Sequence, residues 1–580
     1  MLKRLTLLIL LVAALLAGCD SEDTIATVTA RVRGTSTAAA TLTAIGQITP
    51  SRTPTRTPTP SRTPLPTATG TPTTPPTETP VPTQVSLSGD VVWFGESIYY
   101  LLFVRSFRDS DGDGIGDLQG VIDGLDYLQD LGVTGLWLMP VFESPSYHGY
   151  DTTDYYRVNP DYGTNEDLQR LIEAVHGREM TILLDLAFNH TSDQHPFFRD
   201  AYGNPESEYA GWYRWRNPEQ TRYDSFAGVQ SMPRLNFEHS AVRQYAIEVA
   251  LHWIDPNGDG DFADGADGFR LDVATGLPRS FLAELRAALD ARNPRALLLG
   301  ELWTEGAQIA RYLQGDGLNA AFDFPTYMVL TGHHDGVDDG VLAGVGDPSL
   351  VGLNMRSLTR LISESAFLVR FTNNHDTNRV MSDVSGDMAR ARAAAVWLLT
   401  APGIPMLYYG EEIGMRGVKG AGSPYWDEFR REPMDWYAAE TGPGMTTWFR
   451  PADRNNAPND GVSVEEQMDD PASLLSFYRD LARLRLEAPA MRRAAFDLLR
   501  QNPLYVLRRW DEDALYIVAI NFTREPLALD DLAALREIDG MQYDSDSRVA
   551  VTEQGVTSST DGSITFAPAG YAIYRMPRVP

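Results

Sequence analysis

The sequence predicts an α/β protein built on a (β/α)8 barrel, with a small domain inserted after the third strand and an all-β domain at the C-terminal end. Three observations predict it. From Val91 to about residue 492, short apolar runs rich in β-formers alternate with amphipathic stretches of helical period. Between Asn189 and about Glu238 that alternation is broken by polar, aromatic and turn-forming residues. Beyond about Ala495, segments alternate in polarity with no helical period. Strand–helix alternation requires crossover helices and therefore a parallel sheet, of which the closed eightfold barrel is the version that fits this length.

The segments follow in order. Lys3 and Arg4 precede an apolar run, Leu5–Leu16, too short to span a bilayer and suited to a signal peptide. It ends Leu16-Ala17-Gly18-Cys19, which resembles a bacterial lipobox, so cleavage is expected before Cys19 with a diacylglycerol on its sulfur. Cys19 is the sole cysteine of the 580 residues, so no internal disulfide is available. Thr-Pro repeats between Pro50 and Pro82 cannot bury a core and favour polyproline II. At ~3.1 Å per residue that stretch reaches roughly 100 Å, a stalk. Barrel strands are expected at Ile98–Val104, Gly135–Met139, Ile182–Phe188, Gly268–Val273, Leu297–Leu302, Asn319–Phe324, Phe367–Phe371 and Pro405–Tyr409. Helices are expected at Asp123–Leu131, Asn165–Val175, Ser240–Ile254 and Ser280–Leu289. The chain thus divides into a signal peptide (1–18), a disordered stalk (19–89), a barrel (90–188 and 241–492), an inserted domain (189–240) and a C-terminal β-sandwich (493–580). The formal net charge of −29 repels nucleic acid and anionic lipid, which leaves the lipid anchor as the expected membrane contact. A monomer outside the cytoplasm is expected.

Polar residues sit where the strands end. Arg270 and Asp272 close one strand and Glu301 another; Asn373-Asn374-His375-Asp376 follows a third, and Asp185 to His190 closes a fourth. In a parallel barrel all carboxyl ends share one face, so these groups can converge. Three carboxylates with an arginine and two histidines suit sugar chemistry: one acid attacks the anomeric carbon, and a second, held protonated, donates to the leaving oxygen.

These segments resemble the α-amylase family of glycoside hydrolases, family 13, from about residue 90 to 580. The resemblance implies Asp272 as nucleophile in Gly268-Phe269-Arg270-Leu271-Asp272, with Arg270 as its charge partner keeping it ionised. It implies Glu301 as general acid/base and Asp376 as the third carboxylate, binding hydroxyls of the distorted sugar. His190 and His375 match sugar-contacting histidines, Tyr150 in His148-Gly149-Tyr150-Asp151 a ring-stacking tyrosine, and Arg379 an arginine near the same subsite. The sequence departs from the family in three places. Thr275-Gly276 stand where Lys-His is common; Arg234 stands where Asp is common, a basic residue there resembling neopullulanase-like members; and Val273 follows the nucleophile, at a position that in some relatives helps choose between α-1,4 and α-1,6 bonds, with Val leaning towards 1,6. Arg431-Glu432-Pro433-Met434-Asp435-Trp436 resembles a loop near the acceptor subsites, and Trp426, Trp436 and Trp448 are candidates for sugar stacking or for packing.

Two acidic loops are candidate cation sites. Asp109, Asp111 and Asp113 alternate with small residues like the start of an EF-hand, but Gly120 stands where its closing Glu would be. The resemblance implies a calcium loop here, with Asp117 and the carbonyl of Ile115 completing the set. Asp255, Asn257, Asp259 and Asp261 form a second, less specific candidate. Ligand type fits Ca²⁺ and Mg²⁺ alike, and loop flexibility favours Ca²⁺. The activity expected is retaining hydrolysis of α-1,4-glucosidic bonds in starch, glycogen or maltooligosaccharides. Its alternatives are an exo-acting α-glucosidase, an α-1,6-active or neopullulanase-like enzyme, and a non-catalytic glucan-binding or transporter-accessory protein.

Overall fold

The computed structural model describes residues 92–579, except 316, 334, 364, 423–425, 451–453, 493–494, 500–502, 530–531, 533–534, 539 and 560–562. The expected signal peptide, Cys19 and the stalk lie outside the described residues.

Chain order gives β1 (Tyr99–Leu102), β2 (Gly135–Leu138), a hairpin of β3 (Phe142–Glu143) and β4 (Asp154–Val158), then β5 (Thr181–Leu186), β6 (Gly268–Leu271), β7 (Leu297–Gly300), β8 (Ala320–Phe322), β9 (Phe367–Arg370) and β10 (Ile404–Tyr408). Eight of these close a parallel barrel in the order β1-β10-β9-β8-β7-β6-β5-β2. Its strands are apolar almost throughout because both faces are covered, the outer one by helices. The run Asn319–Phe324 supplies β8 between β7 and β9. The expected helix Asp123–Leu131 is instead two helices, Leu118–Asp123 and Leu125–Leu131, broken at Gly124. The helix Asn165–His176 starts at a reciprocal Thr164–Asp167 capping box and buries Leu168, Leu171, Ile172 and Val175, one stripe at helical spacing.

All eight barrel strands end one or two residues before the expected runs do, where the chain leaves the ladder and turns its polar residues to the barrel mouth. After Asp272 the turn is sharp: Val273 adopts a left-handed conformation (φ 44, ψ 48), costly for a β-branched residue. Register completes the arrangement. Asp185 on β5 lies opposite Arg270 on β6, and Leu271 lies opposite Gly300, which sets Asp272 and Glu301 at one level.

Residues 189–240 carry short 3-10 turns and isolated bridges around an aromatic cluster of Phe198, Tyr213, Trp215 and Tyr223. The C-terminal strands are β11 (Ala495–Leu499), β12 (Tyr505–Trp510), β13 (Ala514–Ile520), β14 (Leu527–Leu529), a ribbon of β15 (Glu537–Ile538) and β16 (Met541–Gln542), β17 (Val549–Ser558) and β18 (Ile564–Pro577). They form one six-stranded antiparallel sheet, β11-β12-β13-β18-β14 with β17 also on β18, beside the ribbon. Alternation on β13 explains why the whole strand is apolar. Tyr516, Val518 and Ile520 join the barrel core, while Leu515, Ile517 and Ala519 join a separate core with Phe566 and Met576.

Candidate active site

Period-two alternation points Arg270 and Asp272 to the same side of β6 and into the barrel. The ladder continues past the strand ends: Asp272 N donates to Leu186 O (3.1 Å), and Glu301 N donates to Leu271 O (3.0 Å). Arg270 is fully buried, its guanidinium against the faces of Trp137 and Tyr150. Its Nη1 donates to Asp272 Oδ1 (2.8 Å) and to both oxygens of Asp185 (2.9 and 3.0 Å). Its Nη2 reaches Glu301 Oε2 at 3.1 Å, and the Val273 amide donates to that same oxygen at 2.9 Å. One guanidinium therefore gathers three carboxylates, and Asp272 and Glu301 stand one guanidinium apart. No described residue takes Asp272 Oδ2 or Glu301 Oε1 in a hydrogen bond, so each acid keeps one oxygen for other work.

Asp376 approaches from the β9 loop. Its amide donates to Asn374 Oδ1 (2.9 Å), its Oδ1 accepts from Arg431 Nη2 (2.9 Å), and its Oδ2 lies 3.2 Å from His375 Nε2. Arg431 also donates to the His375 carbonyl (2.9 Å) and to the Tyr147 hydroxyl (3.3 Å). Tyr150 stacks on His375 with rings 11° from parallel; its hydroxyl donates to Asp185 Oδ2 (3.1 Å) and sits 2.6 Å from His375 Nε2.

The electrostatics divide the acids. Burial pushes the Glu301 carboxyl up, with Arg270 opposing and the charges of Asp272 and Asp376 adding to the rise. Burial likewise raises Asp272 against the pull of Arg270, so desolvation outweighs the expected arginine effect. Asp185 rises to about 7 for the same reason. Three carboxylates facing one cation share protons rather than ionise together. Asp376 differs: burial raises it, but His375, Arg431 and Arg270 hold it far below the usual carboxylate range. Burial lowers His375, and takes His190 down to about 4 and His148 to about 3, leaving all three imidazoles neutral near pH 7.

His190 is buried, stacks on Phe226 at 5.0 Å, receives Asn189 Nδ2 at Nδ1 (3.2 Å) and keeps Nε2 without a partner. Arg379 is a correction. It is wholly buried, donates to the carbonyls of Tyr409 (2.6 Å) and Arg430 (3.1 Å), and lies over the Tyr408 and Tyr409 rings. The side chain is closed off from solvent, with Nη2 buried and unpartnered, and it makes no hydrogen bond to Asp376; Arg431, from the loop after the last strand, holds Asp376 in its place. Asp185 and Arg431 are the members that the sequence leaves unassigned. Asp185 is visible only through its register with Arg270, and Arg431 only as the first residue of a loop resembling one near the acceptor subsites, which does not say that it holds Asp376. Trp436 is packing: its Nε1 donates to Phe107 O (2.6 Å) and its ring meets Phe107 and Tyr127. Trp448 stacks on Tyr147 and donates to Ser106 Oγ (2.9 Å), while Trp426 is exposed.

The two acidic loops behave differently. Asp109, Asp111 and Asp117 bring ligand oxygens within 4.8 Å of one another, a donor set that fits a hard cation. Asp113 is not in that group; its carboxylate accepts from the Ile115 amide (2.7 Å). In the second loop Asp255 is taken by the amides of Gly258 (2.9 Å) and Gly260 (3.1 Å) and by Arg292, while Asn257 and Asp259 accept from amides of their own loop. The first loop also donates its own amides to Asp109 and Asp111, so what sets the second apart is Arg292 on Asp255; among the described residues the carboxylates of Asp255, Asp259 and Asp261 do not come together as those of Asp109, Asp111 and Asp117 do.

Acids of opposed proton demand at the mouth of a parallel barrel are the equipment of a glycoside hydrolase. Comparison with known proteins agrees. The family profile described as Alpha amylase, catalytic domain, matches residues 101–494. Alpha-amylase 3 of Dictyoglomus thermophilum is 35% identical over 452 residues, 74% of this chain and 85% of its own. A cyclomaltodextrinase of a Bacillus species is 30% identical over 74% of this chain and 73% of its own. Among solved structures, the alpha-amylase from H. orenii superposes with a TM-score of 0.69 at 31% identity, covering 83% of this chain and 99% of that one. The chain belongs to the alpha-amylase family of glycoside hydrolases.

Proposed function

We propose that the protein hydrolyses α-1,4-glucosidic bonds in starch, glycogen or maltooligosaccharides with retention of configuration. The observation that carries this reading is the Arg270 fork. It places Asp272 and Glu301 side by side, each with one oxygen free, in keeping with the ~5–5.5 Å separation that retention requires.

Asp272 Oδ2 attacks the anomeric carbon as the glycosidic C–O bond breaks, and Glu301 gives its proton to the departing oxygen. Since Oε2 already accepts from Val273 and Arg270, the transferable proton sits on Oε1. Glu301 then deprotonates water, which attacks the same carbon and releases Asp272. Asp376, held ionised by Arg431, accepts from hydroxyls of the distorted ring and opposes its positive charge. Tyr150 and the neutral His190 and His375 line that ring. The Asp109–Asp117 loop holds Ca²⁺ through Asp109, Asp111 and Asp117, where the ion offsets the mutual repulsion of the acids. Leu16-Ala17-Gly18-Cys19 supports a lipid anchor outside the cytoplasm; radiolabelled palmitate incorporation, lost in Cys19→Ser, tests it.

The relatives include proteins named cyclomaltodextrinase, neopullulanase, maltogenic amylase and 4-alpha-glucanotransferase. Arg234 stands beside Asn189 (3.1 Å) at a pocket lined by Phe226 and Val273, an acceptor side unlike the common amylase pattern. That favours, as second reading, action on cyclic or short glucans. The product profile on maltoheptaose, β-cyclodextrin and pullulan separates the two. Release from none of these or from starch overturns both.

A further inference from the structure

At the opposite end of the barrel from the carboxylates, a cavity of about 240 Å³ opens between the start of β9, the start of β10 and the C-terminal sheet. Three guanidinium side chains line it: Arg370 of β9, Arg492 of the segment joining barrel to sheet, and Arg509 of β12. Phe367, Pro402 and Phe496 supply apolar walls. A fourth cation, Arg485, is buried alongside and repels both Arg509 and Arg492.

Opposing charge is scarce among the described residues. Asp323 pairs with Arg370, and Glu96 lies 3.3 Å from Arg492 Nη1 at the surface. Arg509 and Arg485 meet carbonyls in place of acids. Arg509 donates to Thr400 O (2.9 Å), Ala401 O (3.3 Å) and Arg492 O, and Arg485 donates to Leu399 O (2.9 Å), Ala401 O (3.2 Å) and Gly403 O. They thereby cap the carboxyl end of the helix Met388–Thr400, where partial negative charge collects. Two donors are left over: Nε of Arg492 and Nε of Arg509 are buried with no acceptor. Burial takes Arg509 down to about 9, the direction expected of a cation short of counter-charge.

We propose that this cavity binds one small oxyanion, through Arg492 and Arg509 with Arg370 behind them, and that the bound anion ties the C-terminal sheet to the barrel floor. Both Nη groups of Arg509 are held by carbonyls, so it offers Nε, as Arg492 does, and charged N–H donors match oxyanions and carboxylates better than they match halides. The cavity is smaller than the ~300–1,000 Å³ of sites for drug-sized ligands, so a phosphate with a few waters suits it.

The test is calorimetric titration of inorganic phosphate into the whole protein at constant ionic strength, beside thermal unfolding. One saturable site is expected, with a melting temperature that climbs with phosphate and not with equivalent sodium chloride. Arg492→Ala is expected to weaken the site at least tenfold while folding normally, since that side chain reaches the surface. Glu96→Gln, which removes the competing acid, is expected to tighten it. No saturable heat in either wild type or Glu96→Gln overturns the proposal. So does Arg492→Ala binding as tightly as wild type, or sodium chloride raising the melting temperature as much as phosphate.

Discussion

Glu301→Gln isolates the proton that the proposed mechanism moves. The amide keeps an oxygen where Oε2 accepts from the Val273 amide (2.9 Å) and from Arg270 (3.1 Å), so the turn after Asp272 and the guanidinium fork persist. What disappears is the acid at Oε1. General acid–base catalysis contributes ~10²–10⁴-fold, so kcat on starch should fall by about 10³, or about 4 kcal/mol of barrier. Folding stability should move by no more than about 1 kcal/mol, because the amide resembles the neutral acid that burial already favours. Initial rates of reducing-end release from soluble starch measure the first effect. An aryl α-maltoside with a good leaving group measures the same step without need of an acid, so its burst should largely survive while steady turnover falls and azide restores it. The reasoning is refuted if starch turnover stays within tenfold of wild type, if the aryl burst falls as far as starch hydrolysis, or if the variant unfolds at markedly lower temperature.

Arg270→Ala strands three buried carboxylates without their cation; breaking such a cluster costs about 3–5 kcal/mol, read as a lower urea midpoint together with lost activity. The pH profile of kcat/KM should be bell-shaped. Its acid limb should lie above the ordinary Asp value of 3.8, where buried Asp272 takes up a proton, and its alkaline limb should mark Glu301 losing one; an acid limb below pH 4 contradicts the arrangement. Glu412, buried and held by the hydroxyls of Tyr100 (2.8 Å) and Tyr127 (2.7 Å), is pushed up to about 7, so the folded state binds a proton that the unfolded chain releases near 4.5. Its contribution is full below pH 4.5 and vanishes as pH rises through 7, so Glu412→Gln should gain on wild type by on the order of 2–4 kcal/mol between pH 5 and pH 8.5, by urea unfolding. Chelator should lower the melting temperature of wild type, with Ca²⁺ restoring it, and exposed Asp111→Ala should abolish that response.

Much of the site could be read from the chain because each acid ends an apolar run. Asp272 and Glu301 were recognisable as polar residues that a parallel barrel delivers to one face. Arg379 and Arg431 show where such reading stops. Both are arginines near a carboxylate in sequence or in loop pattern, yet one is drawn under the site by the Tyr409 carbonyl while the other crosses to Asp376. Neither path follows from neighbours along the chain. The two acidic loops make the same point: both alternate carboxylates with small residues and turn their own amides onto the first Asp, but Arg292 takes Asp255, whereas Asp109 keeps company with Asp111 and Asp117.

By itself, then, the order of residues determined the alternating barrel, the inserted segment, the β character of the C-terminal end and the acids at the strand ends, since periodicity and turn chemistry act over a few residues. The tertiary structure alone decided which charges meet. Hydrogen bonds between strand ends and loops remote in sequence set the three-carboxylate grip of Arg270, the proton demand of Glu301 and the arginine-lined cavity beneath the barrel, because burial and Coulomb interaction depend on distance in space and not along the chain.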